Sequence, residues 1–547
     1  MYSKRFLKNF FFILAVFLFT FLAGFNSFVI AGDPHSAYYS SDNDKIFWFI
    51  HMSDIHIGTR GTQDSRNLQW IATDAKNIIN PSFIVAGGDL TDSTNGNLLG
   101  WPDGPHQEEW DEYRAILDPA GIDSSFYYDI PGNHEHYNDQ YFEYYLANSI
   151  QGQATGQTQV SWTRDFSFGK YHFLGINTSD NTGSPFSIFW PWGDYAGLDE
   201  NELAFINSEL EQNQDADLTL IFGHHPVTDT GHWGDTWLYY GASDFVDYMD
   251  SYGASLYGYG HTHRFEEDIF AGDDYTGYMM GDGVFYFNIA SLGKSSENQY
   301  SIIALDCNGI SIVTKNVNSW PAVLITAPMD KYFGGVENPY TYSVPNSNAN
   351  PIRALVFDVN PANEVRYKID GAGDWHPMSI VPSNPQLWEA LWDASSLSEG
   401  EHSIEVQATS VSGTSTDIIT VTITVAEPVP DIKVNCSDGP VEIAFGDTLS
   451  VTIELDPGDS PSVPADWWCV ADAPFGWYYY DSTGTWLPGF KVSYQGPLFE
   501  LTPPSEVLNV SDLPTGGYIF YFGVDGNRNG ILDAPLYYDS VEVTITP

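Results

Sequence analysis

Ile46-Phe-Trp-Phe-Ile50 is an unbroken apolar run, and Asp54-Ile-His56 follows it almost at once. The same arrangement recurs along the chain. Phe83 to Ala86 precedes Gly88-Asp89-Leu-Thr-Asp92, and Phe126 to Ile130 precedes Gly132-Asn133-His134-Glu135. Leu218 to Phe222 precedes His224-His225-Pro226, and Ala254 to Tyr259 precedes Gly260-His261-Thr-His263. Short apolar runs closed by turn residues read as buried strands, and Phe173 to Ile176 is another. Gln107 to Leu117, Tyr141 to Leu146, Glu200 to Leu210 and Ser243 to Tyr252 carry helical patterns between them. Strands alternating with helices predict a layered α/β domain. Each polar cluster then falls just beyond the C-terminal end of a strand, where open α/β sheets bind ligands.

Any one of these clusters alone is more simply a turn. In this order, over roughly 210 residues, they resemble the calcineurin-like metallophosphoesterase family, whose pattern runs DxH, GDxxD, GNH(D/E), H, GHxH. The resemblance implies a four-layer α/β sandwich and two adjacent metal ions. Asp54, His56 and His263 would bind the first ion, and Asn133, His224 and His261 the second, with Asp89 bridging. His225 is an alternative to His224, although the spacing to Pro226 favours His224. The family assigns the histidine at His134 to leaving-group protonation or phosphate binding, and an acid at Glu135 to orienting it. Asp92 would lie behind the ligands, holding the turn or a ligand histidine. Purple acid phosphatases carry a tyrosine where this chain has Asp92, so the tyrosinate-bound type is not expected.

The chemistry agrees with the residue types. Hydrolysing a phosphate ester requires neutralised phosphoryl charge and an activated water, which two ions a few Å apart provide. The resemblance implies in-line attack by metal-bound hydroxide with no covalent enzyme intermediate. Nitrogen and oxygen donors of this kind accept manganese, iron, zinc, nickel or cobalt. Twelve of the fourteen histidines lie at or before His263, in keeping with a site in the first domain. His136 reads as a loop residue or a substrate contact, and His51 and His106 as structural. Trp101, Trp110, Phe189, Trp190, Trp192 and Trp233 are placed in loops around the site, as substrate contacts or plugs. Arg264 is a candidate phosphate contact or a partner of Glu266 or Glu267.

Net charge is -52 with 20 basic residues among 547. Nucleic-acid binders need clustered Lys and Arg to displace counterions, so no nucleic-acid partner is expected. The expected substrate is a phosphorylated small molecule or lipid head group. Residues 1–31 read as a signal peptide, with Lys4, Arg5 and Lys8 before an apolar run and a small-residue cleavage site. The protein is therefore expected to be exported, periplasmic or extracellular. An uncleaved N-terminal anchor is the alternative. Three cysteines are too few for a disulfide framework. An oxidising compartment would permit a Cys436–Cys469 bond and leave Cys307 buried and free.

After Asn318-Ser-Trp-Pro321 the helical patterns give way to period-two alternation. Ile404, Val406 and Ala408 form one set, and Ile419, Val421, Ile423 and Val425 another. Such strands over 320–427 predict an immunoglobulin-like sandwich after a phosphoesterase domain over 45–318. Glu427-Pro-Val-Pro430 reads as a stiff linker, and 431–547 as a second all-β sandwich. Asp525-Gly-Asn527-Arg-Asn529-Gly530-Ile-Leu-Asp533 resembles the first part of a calcium loop, with a hairpin turn as the alternative. Phosphoesterase plus Ig-like domain, from Lys45 to Val425, is similar to a eukaryotic transmembrane metallophosphoesterase group. No segment after the signal reads as a membrane span, so the membrane residence of that group is not carried over as an expectation. The expectation is a metal-dependent phosphoric ester hydrolase, monoesterase or diesterase, whose accessory domains act as spacers or bind a surface ligand. The rival is a cell-surface binding or adhesion protein with a catalytically silent phosphoesterase domain.

Overall fold

The computed structural model describes residues 45–59, 63–94, 103–179, 196–228, 236–263, 284–289, 291–294, 298–333, 336–338, 340–458, 460 and 462–547. The expected signal segment 1–31, Arg264 and the loop aromatics Trp101, Phe189, Trp190, Trp192 and Trp233 lie outside them. The chain forms two compact units. One runs to Tyr342 and includes Pro351–Leu391 and His402–Val421; the other comprises Ser343–Asn350, Trp392–Glu401 and Thr422–Pro547.

The first unit opens with β1 (Ile46–Met52), helix α1 (Gln63–Trp70, continuing through a π-helical stretch Ile71–Ala75 into Lys76–Ile79) and β2 (Ile84–Gly87). Next come α2 (Gln107–Leu117), β3 (Tyr127–Ile130), α3 (Asn133–His136), α4 (Glu143–Asn148) and α5 (Ile150–Thr155). β4 (Val160–Phe166), β5 (Gly169–Gly175), α6 (Glu200–Gln212), β6 (Leu218–Phe222), α7 (Ala242–Tyr252) and β7 (Leu256–Tyr259) follow. β8 (Phe285–Asn288), β9 (Gln299–Asp306) and β10 (Gly309–Asn316) complete the α/β part. One sheet has the order β10-β9-β1-β2-β3, the other β4-β5-β6-β7-β8.

β1 shows why the layers form. Strand side chains alternate between faces, yet every residue of β1 is buried. Phe47 and Phe49 enter the core between the sheets, meeting Phe83, Phe173 and Phe222. Ile46, Trp48, Ile50 and Met52 face the opposite way, among residues of α1 and α2. Beneath the second sheet, Leu174, Ile221 and Tyr257 meet Ile206 and Leu210 of α6 and Phe245 and Met249 of α7. Two sheets with helices outside each make the expected four-layer sandwich. α6 begins where Asp199 accepts the Asn201 N–H at 2.6 Å and the Glu202 N–H at 3.2 Å, while the Glu202 carboxylate accepts the Asp199 N–H. This reciprocal cap fixes the start of the helix. α1, α5, β4, β8, β9 and β10 were not among the elements read from sequence.

The strand Ala322–Ala327 begins a four-stranded sheet with Asn350–Phe357, Asn384–Trp392 and Ser379–Val381. Its apolar face joins the helical layer beneath β1: Trp48 and Phe357 lie 5.6 Å apart, and Gln386 donates to the Ile78 carbonyl at 3.3 Å. Here Arg353 and Asp306, each 1% exposed, form an ion pair at 3.0 Å, and the Thr326 hydroxyl donates to the same carboxylate oxygen at 2.7 Å. Burial raises the Asp306 carboxyl above its usual range despite Arg353. Breaking a buried pair strands one charge and costs about 3–5 kcal/mol. Arg353→Met is expected to lower the stability of this unit by that amount, read from its denaturant midpoint. Asp306→Leu added to it should restore much of the loss.

The second all-β domain, within the other unit, places Val429–Val434, Leu449–Asp456 and Leu501–Val510 in one sheet. A larger sheet contains Val441–Ala444, Leu536–Thr546, Gly516–Asp525, Pro464–Ala473, Gly476–Tyr480 and Trp486–Pro488. The linker expected at 427–430 is shorter than its composition suggested, because Val429 and Pro430 already pair with Asp456 and Leu455. Pro430 is tolerated there because its strand ends the sheet order. The Cys436–Cys469 bond is not formed. Cys469 points into the core beside Trp467 and Ala471, while Cys436 is exposed, and both are free. Among the described residues, no helix is long and apolar enough to cross a membrane.

Candidate metal centre

The loops that leave β1 and β2 stay paired beyond the strands. Asp54 N–H donates to the Gly88 carbonyl at 3.0 Å, His56 N–H to Asp89 at 2.9 Å and Ile57 N–H to Leu90 at 3.0 Å. This main-chain zipper fixes Asp54 and His56 against Asp89. From the second sheet, Gly260 N–H donates to the His224 carbonyl at 3.1 Å. The Asp54 carboxylate then ties the two sheets, accepting the His261 N–H at 3.0 Å.

Turning these side chains inward requires unusual backbone. Asp54, His56, Asp89, His261 and His263 all have positive φ, from 52° to 70°. Left-handed conformations cost non-glycine residues energy and cluster at functional sites. Two glycines make room. Gly88 has φ 97°, and a Cβ there would strike the His224 ring; a Cβ on Gly132 would strike the Asp89 carboxylate.

The donors converge in two sets that share Asp89. Asp54, His56, Asp89 and His263 bring ligand atoms within 4.8 Å of one another. Within that set the Nε2 atoms of His56 and His263 lie 3.0 Å apart, and His263 Nε2 is 3.3 Å from Asp54 Oδ1. Asp89 Oδ2 is 3.5 Å from His56 Nε2, while its Oδ1 is 3.3 Å from His224 Nε2. Asn133 Oδ1 lies 3.0 Å from His224 Nε2 and 3.1 Å from His261 Nδ1. His224 faces Asp89 and Asn133, while His225, whose ring groups with those of His224 and His261, has Nδ1 2.9 Å from the Thr178 hydroxyl.

The neighbours of the donors set their protonation. A carbonyl can only accept, so His224 donates Nδ1–H to Gly87 at 2.8 Å and turns Nε2 inward. Asn133 donates its amide to the Tyr137 hydroxyl at 2.8 Å, which leaves its oxygen on the site side. His56 Nδ1 is 3.0 Å from Asp92 Oδ1, which also takes Lys294 Nζ at 2.9 Å. Asp92 thus sits behind His56. Lys294 and Tyr137 escaped the sequence reading: a lone lysine in a loop and a tyrosine four residues past Asn133 carry no motif.

His134 and Glu135 require a correction. Glu135 does not orient His134. Its carboxylate accepts the Thr91 N–H at 2.9 Å, the Thr91 hydroxyl at 3.2 Å and the Gly132 N–H at 2.8 Å, joining two ligand-bearing turns. His134 instead donates Nδ1–H to the main-chain carbonyl of Asp92 at 2.7 Å. Its Nε2 faces the cluster, 3.7 Å from Asp89 Oδ2. The i+1 spacing puts Glu135 one step around a helical turn, α3, where its side chain folds back on the turn's own N–H groups.

Other expectations find different places. Trp110 is 1% exposed in the core against Tyr113 and Tyr145, not in a loop. His51 is buried against Phe222 and Phe287, and His106 lies 2.6 Å from Asp103. The His136 ring lies against Phe142, 5.2 Å away. In the last domain, Asp533 accepts from the amides of Asn527 at 2.9 Å and Asn529 at 3.0 Å. Asp525 accepts the Trp468 indole N–H at 2.8 Å. Asp466, 0% exposed, pins the loop by accepting the Asn529 N–H at 3.0 Å.

Electrostatics divides the imidazoles. Burial lowers His56 and His261 to about 3, so both are neutral donors at neutral pH. Burial also opposes charge on His224, but Asp89 outweighs it and raises His224 to about 10. Burial alone would raise Asp89; His224, His134 and His56 hold its carboxyl well below the usual range instead. A metal ligand must be neutral imidazole, so ion binding at pH 7 must expel the His224 proton. We expect about one proton released per chain from this residue, with affinity rising about tenfold per pH unit toward pH 10. Titration calorimetry in buffers of different ionisation enthalpy reads the release, and His224→Ala should abolish it.

Nitrogen and oxygen donors arranged in two sets about one shared carboxylate fit a pair of transition-metal ions. Residues 47–265 match the calcineurin-like phosphoesterase family, and residues 317–427 match the TMEM62 Ig-like domain. The chain is 27% identical over 379 residues to "Transmembrane protein 62" of Mus musculus, covering 68% of this chain and 54% of that protein. It is 25% identical over 366 residues to "Putative metallophosphoesterase At3g03305" of Arabidopsis thaliana, covering 58% of this chain and 48% of that one. It spans about half the length of these curated relatives.

Proposed function

We propose that this chain, in which a calcineurin-like phosphoesterase domain is followed by a TMEM62-type Ig-like domain, is an exported metal-dependent hydrolase of phosphate esters. The observation that carries the reading is the completeness of the donor set: two groups of side chains meet on opposite oxygens of Asp89, at 3.5 Å and 3.3 Å. Asp54, His56 and His263 would hold one ion and Asn133, His224 and His261 the other, with Asp89 between them. Bound ions supply the neutralisation of phosphoryl charge and the activation of water that hydrolysis needs. The chain's own residues do the rest. Asp92 aims His56, Gly87 and Tyr137 aim His224 and Asn133, and His134 presents Nε2 to the leaving oxygen or to a phosphoryl oxygen. The proposed domain limits are 45–318, 320–427 and 431–547, and export rests on the residues of 1–31. A silent phosphoesterase domain would be expected to lack a donor, and none is missing.

The test is hydrolysis of a panel of phosphomonoesters and phosphodiesters by protein stripped with chelator and reloaded with manganese, iron, zinc, nickel or cobalt. Activity should vanish on stripping and return on loading. Undiminished hydrolysis in chelator would sink the proposal. The panel also separates monoesterase from diesterase.

A further inference from the structure

The C-terminal domain carries a cavity of about 440 Å³ on the outer face of its larger sheet. Alternation explains how it arises. Along Pro464–Ala473, Trp467, Cys469 and Ala471 enter the core, so Trp468, Val470 and Asp472 point outward. Tyr521 and Gly523 of Gly516–Asp525 and Tyr538 and Glu542 of Leu536–Thr546 share that outer face. Gly523 pairs with Trp468 on one side and Tyr538 on the other. Lacking a side chain, it leaves a hollow between two rings.

Further aromatics wall the hollow. Phe490 lies 5.6 Å from Trp468 and 5.1 Å from Trp477, the latter edge-on at 87°. Tyr521 is 5.9 Å from Trp477 and 6.5 Å from Tyr538. The Trp468 indole N–H donates to Asp525 at 2.8 Å, which fixes the orientation of that ring. Trp477, Phe490 and Tyr538 are 38%, 44% and 61% exposed, a large aromatic outlay for a domain surface.

Acids lie at both ends of the same face. Asp466 and Asp525 pair with each other across the strands on one side; on the other, Asp472 and Glu542 both register with Ile519, next to the Tyr521 row. Among the described residues no lysine or arginine lines the cavity, and the nearby Lys491 stands over Tyr479 at 5.9 Å. Ring faces are electron-rich, so several of them around one space, backed by carboxylates, attract a weakly hydrated cation. A sugar would need hydrogen-bond partners for each hydroxyl, and the lining offers few, the Trp468 N–H being already donated.

We propose that this cavity binds a quaternary ammonium group of the choline type. The volume suits a small ligand, and the acid fringe supplies the charge selectivity that an apolar pocket alone would lack.

The test uses the full chain, titrated calorimetrically with choline and with 3,3-dimethylbutan-1-ol, its uncharged isostere. Choline should bind saturably and at least tenfold more tightly than the isostere. Trp477→Ala and Tyr538→Ala should each weaken choline tenfold or more. Should either fail to fold, Glu542→Lys, an exposed change, should weaken choline several-fold and leave the isostere unaffected. Co-sedimentation with phosphatidylcholine vesicles, and not with phosphatidylglycerol vesicles, would identify a lipid head group as the source. Binding of free choline alone would identify a soluble ligand. Equal affinity for the isostere, absence of choline binding in both arms, or full affinity in Trp477→Ala would overturn the proposal.

Discussion

Asp89→Ala is expected to reduce phosphoester hydrolysis by about a thousandfold or more. The two oxygens of Asp89 meet side chains of both donor groups, His56 through Oδ2 at 3.5 Å and His224 through Oδ1 at 3.3 Å. Removing them would take away the carboxylate shared by both donor sets and the negative charge that faces His224. Metal ions contribute several kcal/mol of charge stabilisation, and each 1.4 kcal/mol is a factor of ten. Metal content should fall below two ions per chain, measured by elemental analysis of the purified protein. Oδ1 also accepts the His134 N–H at 3.0 Å, so some loosening of α3 is expected. Asp89→Asn, which keeps the shape, separates that effect: it should fold normally and still lose activity. Retained activity with both ions bound to Asp89→Ala would sink the dinuclear reading.

How much of this was legible beforehand depended on where each signal lies in the chain. β6 and α2 lie where their apolar patterns placed them, because short buried strands and amphipathic helices leave periodic marks. The donors followed, since each group directly trails a strand. α1 was missed because Gln63–Trp70 is mostly polar and only Asp64, Asn67, Leu68 and Trp70 are buried in it. β9 and β10 were missed because the fold reading stopped at the last motif. What supports the donors was largely unreadable. Tyr137 reaches Asn133 across one helical turn, and Lys294 reaches Asp92 from 202 residues away. Such contacts follow from tertiary folding and leave no local pattern. Glu135 was misread for the converse reason: it belongs to a motif, but its geometry turns it toward Thr91 and Gly132.

His134→Ala is expected to lower kcat by about 10²–10⁴-fold for esters with poor leaving groups, the usual range for a positioned acid or base. For esters whose leaving group departs unprotonated the loss should be small. The argument rests on the ring's two nitrogens. Nδ1 is committed as a donor to the Asp92 carbonyl at 2.7 Å, so Nε2 alone faces the reacting atoms. Burial holds the His134 pKa below its ordinary value against Asp89 and Asp92, and a bound phosphate anion would help to place a proton on Nε2. Metal content should stay unchanged, because His134 is not among the proposed ligands. A rise in KM with kcat unchanged would instead assign Nε2 to ground-state phosphate binding. Glu135→Gln gives the contrast that tests the revised geometry. Burial and Asp89 raise Glu135 to about 8, and its carboxylate is held by Thr91 and Gly132. Its loss should cost about 1–3 kcal/mol of stability through unsatisfied donors, without changing how rate depends on the leaving group. If Glu135→Gln reproduced the leaving-group dependence of His134→Ala, the carboxylate would have to act on His134 after all.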